Sequence, residues 1–470
     1  MATRRSTINA LCWCAALALF VGSCAGPEAT IAPTTAPVAQ ATEAPAEMPT
    51  SPPPEGTPSG FEELGPITLE LWDNETLSGP SNSVDEIVLA FESKYPNVTI
   101  NRTKRAFDDH VKVVKLALSG EEAPCIAEGN QGYYVDGALV EAGLIIPLDK
   151  YAEAYGWLDR YSPAAIAPNM WSPDGKSWGE GSLFGVSVEM QQSGIYFNKA
   201  KLADLGVSWP PHSIEEFEAA LEKAKQAGEL PIMLGDIEKW PGGIVMDQFI
   251  AAYAPSQTIN DWIFGRSGSN INTPEVLAGI QKFAEFGAKG YFGTDYLGIG
   301  YDDSLKSFAA GQGVFYISGT WSNNDFYTLM GDNVGFECFP GPGGTCASVV
   351  GIGQPFEISS KCEYPDVAAA FLDMMIDANG SAVAVKYNRT PAYSPPGLLD
   401  LPMTDLMRTS ISNLVRVLDD KGNVFFLDWA SPTMYDLLAG GHQEVLAGVT
   451  LPEDLLPKVQ ADRDAFLASR

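Results

Sequence analysis

Ile67-Thr68-Leu69-Glu70-Leu71-Trp72-Asp73-Asn74 is the stretch from which the fold is read. Apolar and polar residues alternate at period two and stop at Asp73-Asn74, which predicts a strand ending in a loop. Val84, Ile87, Val88 and Phe91 then recur at helical spacing as far as Pro96, which cannot continue a helix. Val98-Thr99-Ile100 restarts a strand. Residues 110–118 read as a second helix, and Cys125-Ile126-Ala127 as a short strand running into Glu128-Gly129-Asn130-Gln131-Gly132. Strands alternating with helices predict an α/β fold of parallel sheets with helices on their faces. Ligands of such sheets sit beyond the carboxyl ends of the strands, where residues 73–76 and 128–131 fall.

The first 60 residues differ in character. Arg4 and Arg5 precede an apolar run, residues 11–21, that ends Val21-Gly22-Ser23-Cys24. A basic start, a short apolar centre and a small-residue end predict a secretory signal over residues 1–23, too short to span a bilayer. The Val-Gly-Ser-Cys ending resembles a bacterial lipobox, which implies a lipid on Cys24 as first residue of the mature chain. Residues 24–65 read as a tether. Nine prolines lie between residues 25 and 60 among Ala, Thr, Glu and Ser, a composition that cannot bury enough apolar surface to order itself. At ~3.1 Å per residue its 36 residues reach on the order of 110 Å. The expectation is an extracytoplasmic protein, lipid-anchored to the outer face of the cell membrane.

Removing the signal leaves 27 Lys and Arg against 59 Asp and Glu. That acidity excludes nucleic acid as a partner, because such binding rests on cations that neutralise phosphates. Four cysteines follow Cys24, an even number that permits two disulfides in an exported chain. Cys338 and Cys346 flank Pro340-Gly341-Pro342-Gly343-Gly344, a turn across which their side chains can meet, which leaves Cys125 with Cys362. None of the spacings is Cys-x2-Cys, so no zinc site is expected.

Several ordered segments are similar to one family. Ala138-Leu139-Val140-Glu141-Ala142-Gly143-Leu144-Ile145-Ile146-Pro147-Leu148-Asp149 resembles a stretch of the extracellular solute-binding proteins of carbohydrate ABC importers, the maltose-binding-protein-like family. So do Gly185-Val186-Ser187-Val188-Glu189 with Tyr196-Phe197-Asn198-Lys199, Pro210-Pro211-His212-Ser213-Ile214-Glu215-Glu216-Phe217, the segment 315–321, Phe356-Glu357-Ile358-Ser359 and residues 369–372. The resemblance implies a periplasmic-binding-protein-like fold with two discontinuous lobes: 66–188 with 350–378, and 189–349 with 379–470. Hinge crossings are expected at 186–189, near 349–353 and near 377–382. It also implies ABC permease subunits as partners, a monomer, no cofactor and no catalysis.

A sugar presents hydroxyls that need paired donors and acceptors, and C–H faces that pack on aromatic rings. The resemblance places a stacking ring at Trp240, with Glu238 two positions before it, and a second at Trp321; Trp429 is a third, more loosely aligned. Asn74, Glu75, Glu128 and Asn130 are the expected hydroxyl contacts from the first lobe. Glu189, Gln191 and Gln192 are candidates at the crossover, with Gln191 matching a family ligand position. Arg389 can donate a forked pair of hydrogen bonds. One departure stands out: relatives often carry Asp where this chain has Cys125.

Other classes are weaker. No Gly-x-Ser-x-Gly elbow, P-loop or His-Glu-x-x-His motif is present, which disfavours a glycan-active enzyme. Tyr133-Tyr134 brings ferric ion into consideration, but neighbours in an extended chain face opposite ways; the pair is expected to open a helix. A polyamine would suit the acidity.

Overall fold

The structure, a computed structural model, describes residues 57–470. The signal segment, Cys24 and the tether as far as residue 56 lie outside the described residues. Two sheets organise the rest. The first has the order Val98–Lys104, Ile67–Asp73, Ile126–Glu128, Pro355–Ile358, Gly185–Ser187. Its first three strands are parallel, with Ile67 opposite Val98 and Leu71 opposite Ile126. The alternation read from the sequence is the burial pattern: Ile67, Leu69 and Leu71 are buried while Thr68 and Glu70 are exposed. Helices Ser78–Lys94 and Pro365–Ile376 pack on it, and Phe91 meets Phe371 edge-on at 5.4 Å. Pro355–Ile358 runs antiparallel to both neighbours, since the chain enters it from the other lobe and not through a crossover helix.

The second sheet has the order Phe339–Pro340, Cys346–Ile352, Met190–Asn198, Phe315–Gly319, Ile232–Met233. Met190–Asn198 is antiparallel to Cys346–Ile352, to Phe315–Gly319 and to Val334–Glu337. The expectation of parallel sheets therefore holds for the first three strands, while the second sheet is mixed: Ile232–Met233 with Phe315–Gly319 and Cys346–Ile352 with Asn423–Val424 are its parallel pairs. A hairpin joins Phe339–Pro340 to Cys346–Ile352, and a hairpin can only produce antiparallel pairing. Helices Trp240–Tyr253 and Asp405–Asp419 pack on this sheet, so Cys346–Ile352 is buried along its whole length. Disulfides join Cys338 to Cys346 and Cys125 to Cys362.

Three crossings link the sheets, and they are hydrogen-bonded to one another at Glu189. Glu189 bridges Pro391 in antiparallel fashion, and its carbonyl accepts Gly353 N at 2.7 Å. On either side, Met190 N donates to Thr390 O at 2.8 Å and Ala392 N to Val188 O at 3.1 Å. The third crossing is thus at residues 388–392, not at 377–382. Helix Ala378–Lys386 remains with the first lobe, where Lys386 Nζ pairs with Glu86 at 2.6 Å and Tyr387 donates to Glu86 at 2.7 Å. The second crossing follows Ile352, the last residue of its strand. A shared apolar core runs beneath the junction: Tyr133, Leu139 and Trp171 pack with Phe249, Trp262 and Trp429.

Candidate functional site

Between the lobes lies a cavity of about 430 Å³, within the roughly 300–1,000 Å³ of small-ligand sites. The loops at the carboxyl ends of the first and third strands supply Asn74, Glu75, Thr76, Asn130 and Gln131 to its wall. Arg102 sets the first loop by gripping Asp73 in a forked pair at 2.6 and 2.9 Å. Glu128 sets Asn74, whose backbone N and Nδ2 both donate to Oε2 at 2.7 Å. Asn130 is held from below, its backbone N donating to Asp136 Oδ1 at 2.6 Å. Gln191, from the strand after the first crossing, also lines the cavity and donates to Glu189 at 2.7 Å.

Opposite these polar loops stands an aromatic group on the second lobe. Trp240 opens its helix after Lys239, whose φ of 71° turns the chain sharply. The Trp240 ring lies 4.4 Å from that of Tyr301 and 6.2 Å from that of Trp321. Trp321 Nε1 donates to the Tyr301 hydroxyl at 2.8 Å, which orients the indole. Gly319 is obligatory beneath it, because a Cβ there would meet the Trp321 ring at 2.0 Å. Glu238 accepts Tyr301 N at 2.9 Å, so this acid meets the first turn of the helix Tyr301–Ala309 as well as lining the cavity.

Four sequence candidates stand elsewhere. Glu128 is buried and outside the wall, spending its carboxylate on Asn74. Arg389 is 2% exposed, with donors committed to Glu189, Ser83 and Glu75 at 2.7, 2.6 and 2.7 Å. Its fork grips protein carboxylates, not ligand. Glu189 and Gln192 are likewise buried in protein contacts. Trp429 does line the cavity, but at 3% exposure it packs mainly against Phe425, Phe426 and Trp178. Tyr133 and Tyr134 precede the helix Asp136–Glu141 instead of opening it. Tyr133 sits among Trp171, Trp178 and Phe466.

The structure adds residues that pattern reading passed over: Tyr301, Asp108, Asp247, Asp428 and Tyr435. One signal was available for Asp247. It stands alone in the apolar run Ile244-Val245-Met246-Asp247-Gln248-Phe249, where a buried charge needs a reason. Burial, then the charge of Asp428, pushes the Asp247 carboxyl well above its usual range. Burial raises Asp428 to about 7. Glu75 is also raised to about 7: burial and the neighbouring Glu189 and Asp73 outweigh an Arg389 that it must share.

A family model for the bacterial extracellular solute-binding proteins matches residues 76–381. The chain belongs to that family. Its members are extracytoplasmic receptors for solutes rather than enzymes. An ABC transporter extracellular-binding protein of Pyrococcus horikoshii is 23% identical over 344 residues, 70% of this chain and 72% of that protein. The multiple sugar-binding protein of Streptococcus mutans is 26% identical over 244 residues, 47% of this chain and 56% of that protein. Among solved structures, a chitin oligosaccharide binding protein superposes with a TM-score of 0.73 at 22% identity, covering 85% of this chain and 99% of its own. The solute receptor AcbH, described with a preference for β-D-galactopyranose, gives 0.70 at 17% identity over 86% and 100%. These likenesses show the two-lobed fold expected from the sequence.

Proposed function

We propose that this protein captures a sugar or short oligosaccharide in the cavity between its lobes and delivers it to an ABC permease. The observation that carries the reading is the facing of two unlike walls. The Trp240–Tyr301–Trp321 group of the second lobe offers apolar ring surface, and Asn74 and Asn130 of the first offer donors and acceptors. A sugar ring has both kinds of surface. The solute named for the streptococcal relative and those of the structural neighbours support the same class. Ligand would stabilise the closed arrangement only through contacts made to both lobes at once. The receptor would work as a monomer, held outside the cell by a lipid on Cys24 and a tether that ends before residue 65, since Phe61–Glu63 is a short helix with Phe61 buried in the first lobe.

A thermal-shift screen of the chain against mono- and oligosaccharides, polyamines and ferric ion tests this. A ligand at 100 times its dissociation constant stabilises the fold by about 2.7 kcal/mol. Stabilisation by a polyamine or iron with none by any sugar would overturn the carbohydrate reading. Cys24→Ser should release the protein from the cell envelope.

A further inference from the structure

Seven carboxylates but only two lysines contribute to the cavity wall. Most of the acids have internal work. Glu75 pairs with Arg389, Glu238 accepts Tyr301 N, Asp108 accepts the Tyr435 hydroxyl at 3.0 Å, and Asp303 lies 3.8 Å from Lys306. Asp247 and Asp428 are different. Both line the cavity, and Leu427, next in the chain to Asp428, supplies the N–H that meets Asp247 Oδ2; among the described residues neither is in an ion pair with Lys, Arg or His. Asp247 is only 5% exposed, its Oδ1 has no hydrogen-bond partner, and its Oδ2 has a long contact of 3.4 Å from Leu427 N. Glu128 and Glu357 also carry orphaned oxygens, but neither lines the cavity.

We infer that Asp247 and Asp428 form a subsite for the ammonium group of an amino sugar, one whose amine is free and not acylated. The inference rests on the carbohydrate reading of the cavity and narrows it. A buried carboxylate without a partner is strongly disfavoured. Burial holds both acids above their usual range, and neutral hydroxyls do nothing to favour their ionised forms. An ammonium offers three N–H donors and cancels one charge. Phe426 and Trp429 line the same wall, and aromatic faces favour a desolvated cation. The polar loops of the first lobe and the Trp240–Trp321 rings remain to take the hydroxyls and ring faces, which a bare polyamine lacks.

Titration calorimetry on the full chain with β-1,4-linked oligomers of glucosamine, N-acetylglucosamine and glucose of equal length tests this, with spermidine as a fourth probe. The free-amine oligomer should bind at least about tenfold more tightly than either neutral one, equivalent to about 1.4 kcal/mol. Asp247→Asn, and separately Asp428→Asn, should bring that ratio towards one. Equal or better binding of a neutral oligomer, with the ratio unmoved by Asp247→Asn, overturns the ammonium subsite and leaves the carbohydrate reading standing. Asp247-dependent binding of spermidine without any sugar overturns both the amino-sugar assignment and the carbohydrate reading. Should Asp247→Asn fail to fold, Asp428→Asn on the loop gives the same comparison.

Discussion

Arg389 Nη2 donates to Glu75 Oε1 at 2.7 Å, which fastens the third crossing between the lobes to the cavity wall of the first. The same guanidinium holds Glu189 on the first crossing at 2.7 Å, and Glu189 holds Gln191. Arg389→Met should therefore destabilise the protein by about 3–5 kcal/mol, because it strands two buried carboxylates. Arg389→Lys should recover part of that loss. Urea unfolding measures both, and a loss under about 1 kcal/mol for the Met variant would show that the clasp does not hold the hinge.

The aromatic wall makes a graded prediction. Trp240→Ala removes a ring face and should weaken sugar binding by about 1–3 kcal/mol. Tyr301→Phe keeps the ring but deletes the acceptor of the Trp321 indole N–H, leaving a polar group unpaired at a cost of about 1–3 kcal/mol. Calorimetry with the best sugar from the screen reads both. Unchanged affinity in Trp240→Ala would take the ring out of the site.

Gly132 makes the closest approach between the first-lobe loop and the segment bearing Trp429. A Cβ there would lie 2.5 Å from Trp429 Cα, and its φ is 86°. Both the clash and the left-handed backbone oppose any larger residue. Gly132→Ala should lower stability by about 1–3 kcal/mol and alter the near-ultraviolet dichroism of the tryptophans. Wild-type stability would mean that the loop can move aside.

Asp136 and Glu357 share a buried site beneath Asn130. Burial raises the Asp136 carboxyl to about 8, and burial together with the Asp136 charge raises Glu357 well above its usual range. The folded protein thus keeps protons that the unfolded chain releases above about pH 4. Stability supplied by these groups is complete at low pH and is lost as pH rises towards 8 and beyond. Glu357→Gln should flatten the decline in melting temperature between pH 5 and 8 relative to wild type, with a difference on the order of 1–3 kcal/mol at the alkaline end. Parallel curves for the two proteins would contradict the assignment.

The two disulfides should differ in worth. Cys125–Cys362 spans 237 residues and Cys338–Cys346 only 8. Loop-closure entropy then predicts losses of about 5.5 and about 2.5 kcal/mol when each pair is replaced by serine. Equal losses by guanidinium unfolding would point to native-state strain as the larger effect.

Local pattern carried much of the fold. The alternation at Ile67–Asp73 and the helical spacing up to Phe91 became a strand and a helix near the places they predicted, because one buried face suffices to select each period. Trp240 and Trp321 were expected from the resemblance, and the fold brings both into the cavity wall. Arg389 was legible as a fork but not as one occupied by Glu75 and Glu189, since those partners lie 314 and 200 positions away. Tyr301 had no local mark at all, as its role depends on a ring and an indole N–H brought in from two other segments.

The order of elements, the acidic balance, the cysteine count and the loops at the strand ends were determined by sequence alone, because each rests on residues a few positions apart. The third crossing, the mixed second sheet and the Asp247 and Asp428 carboxylates without an ion-pair partner were decided only by tertiary structure. Each depends on which distant segments share a core, and burial of a carboxylate is a property of that packing, not of the residue.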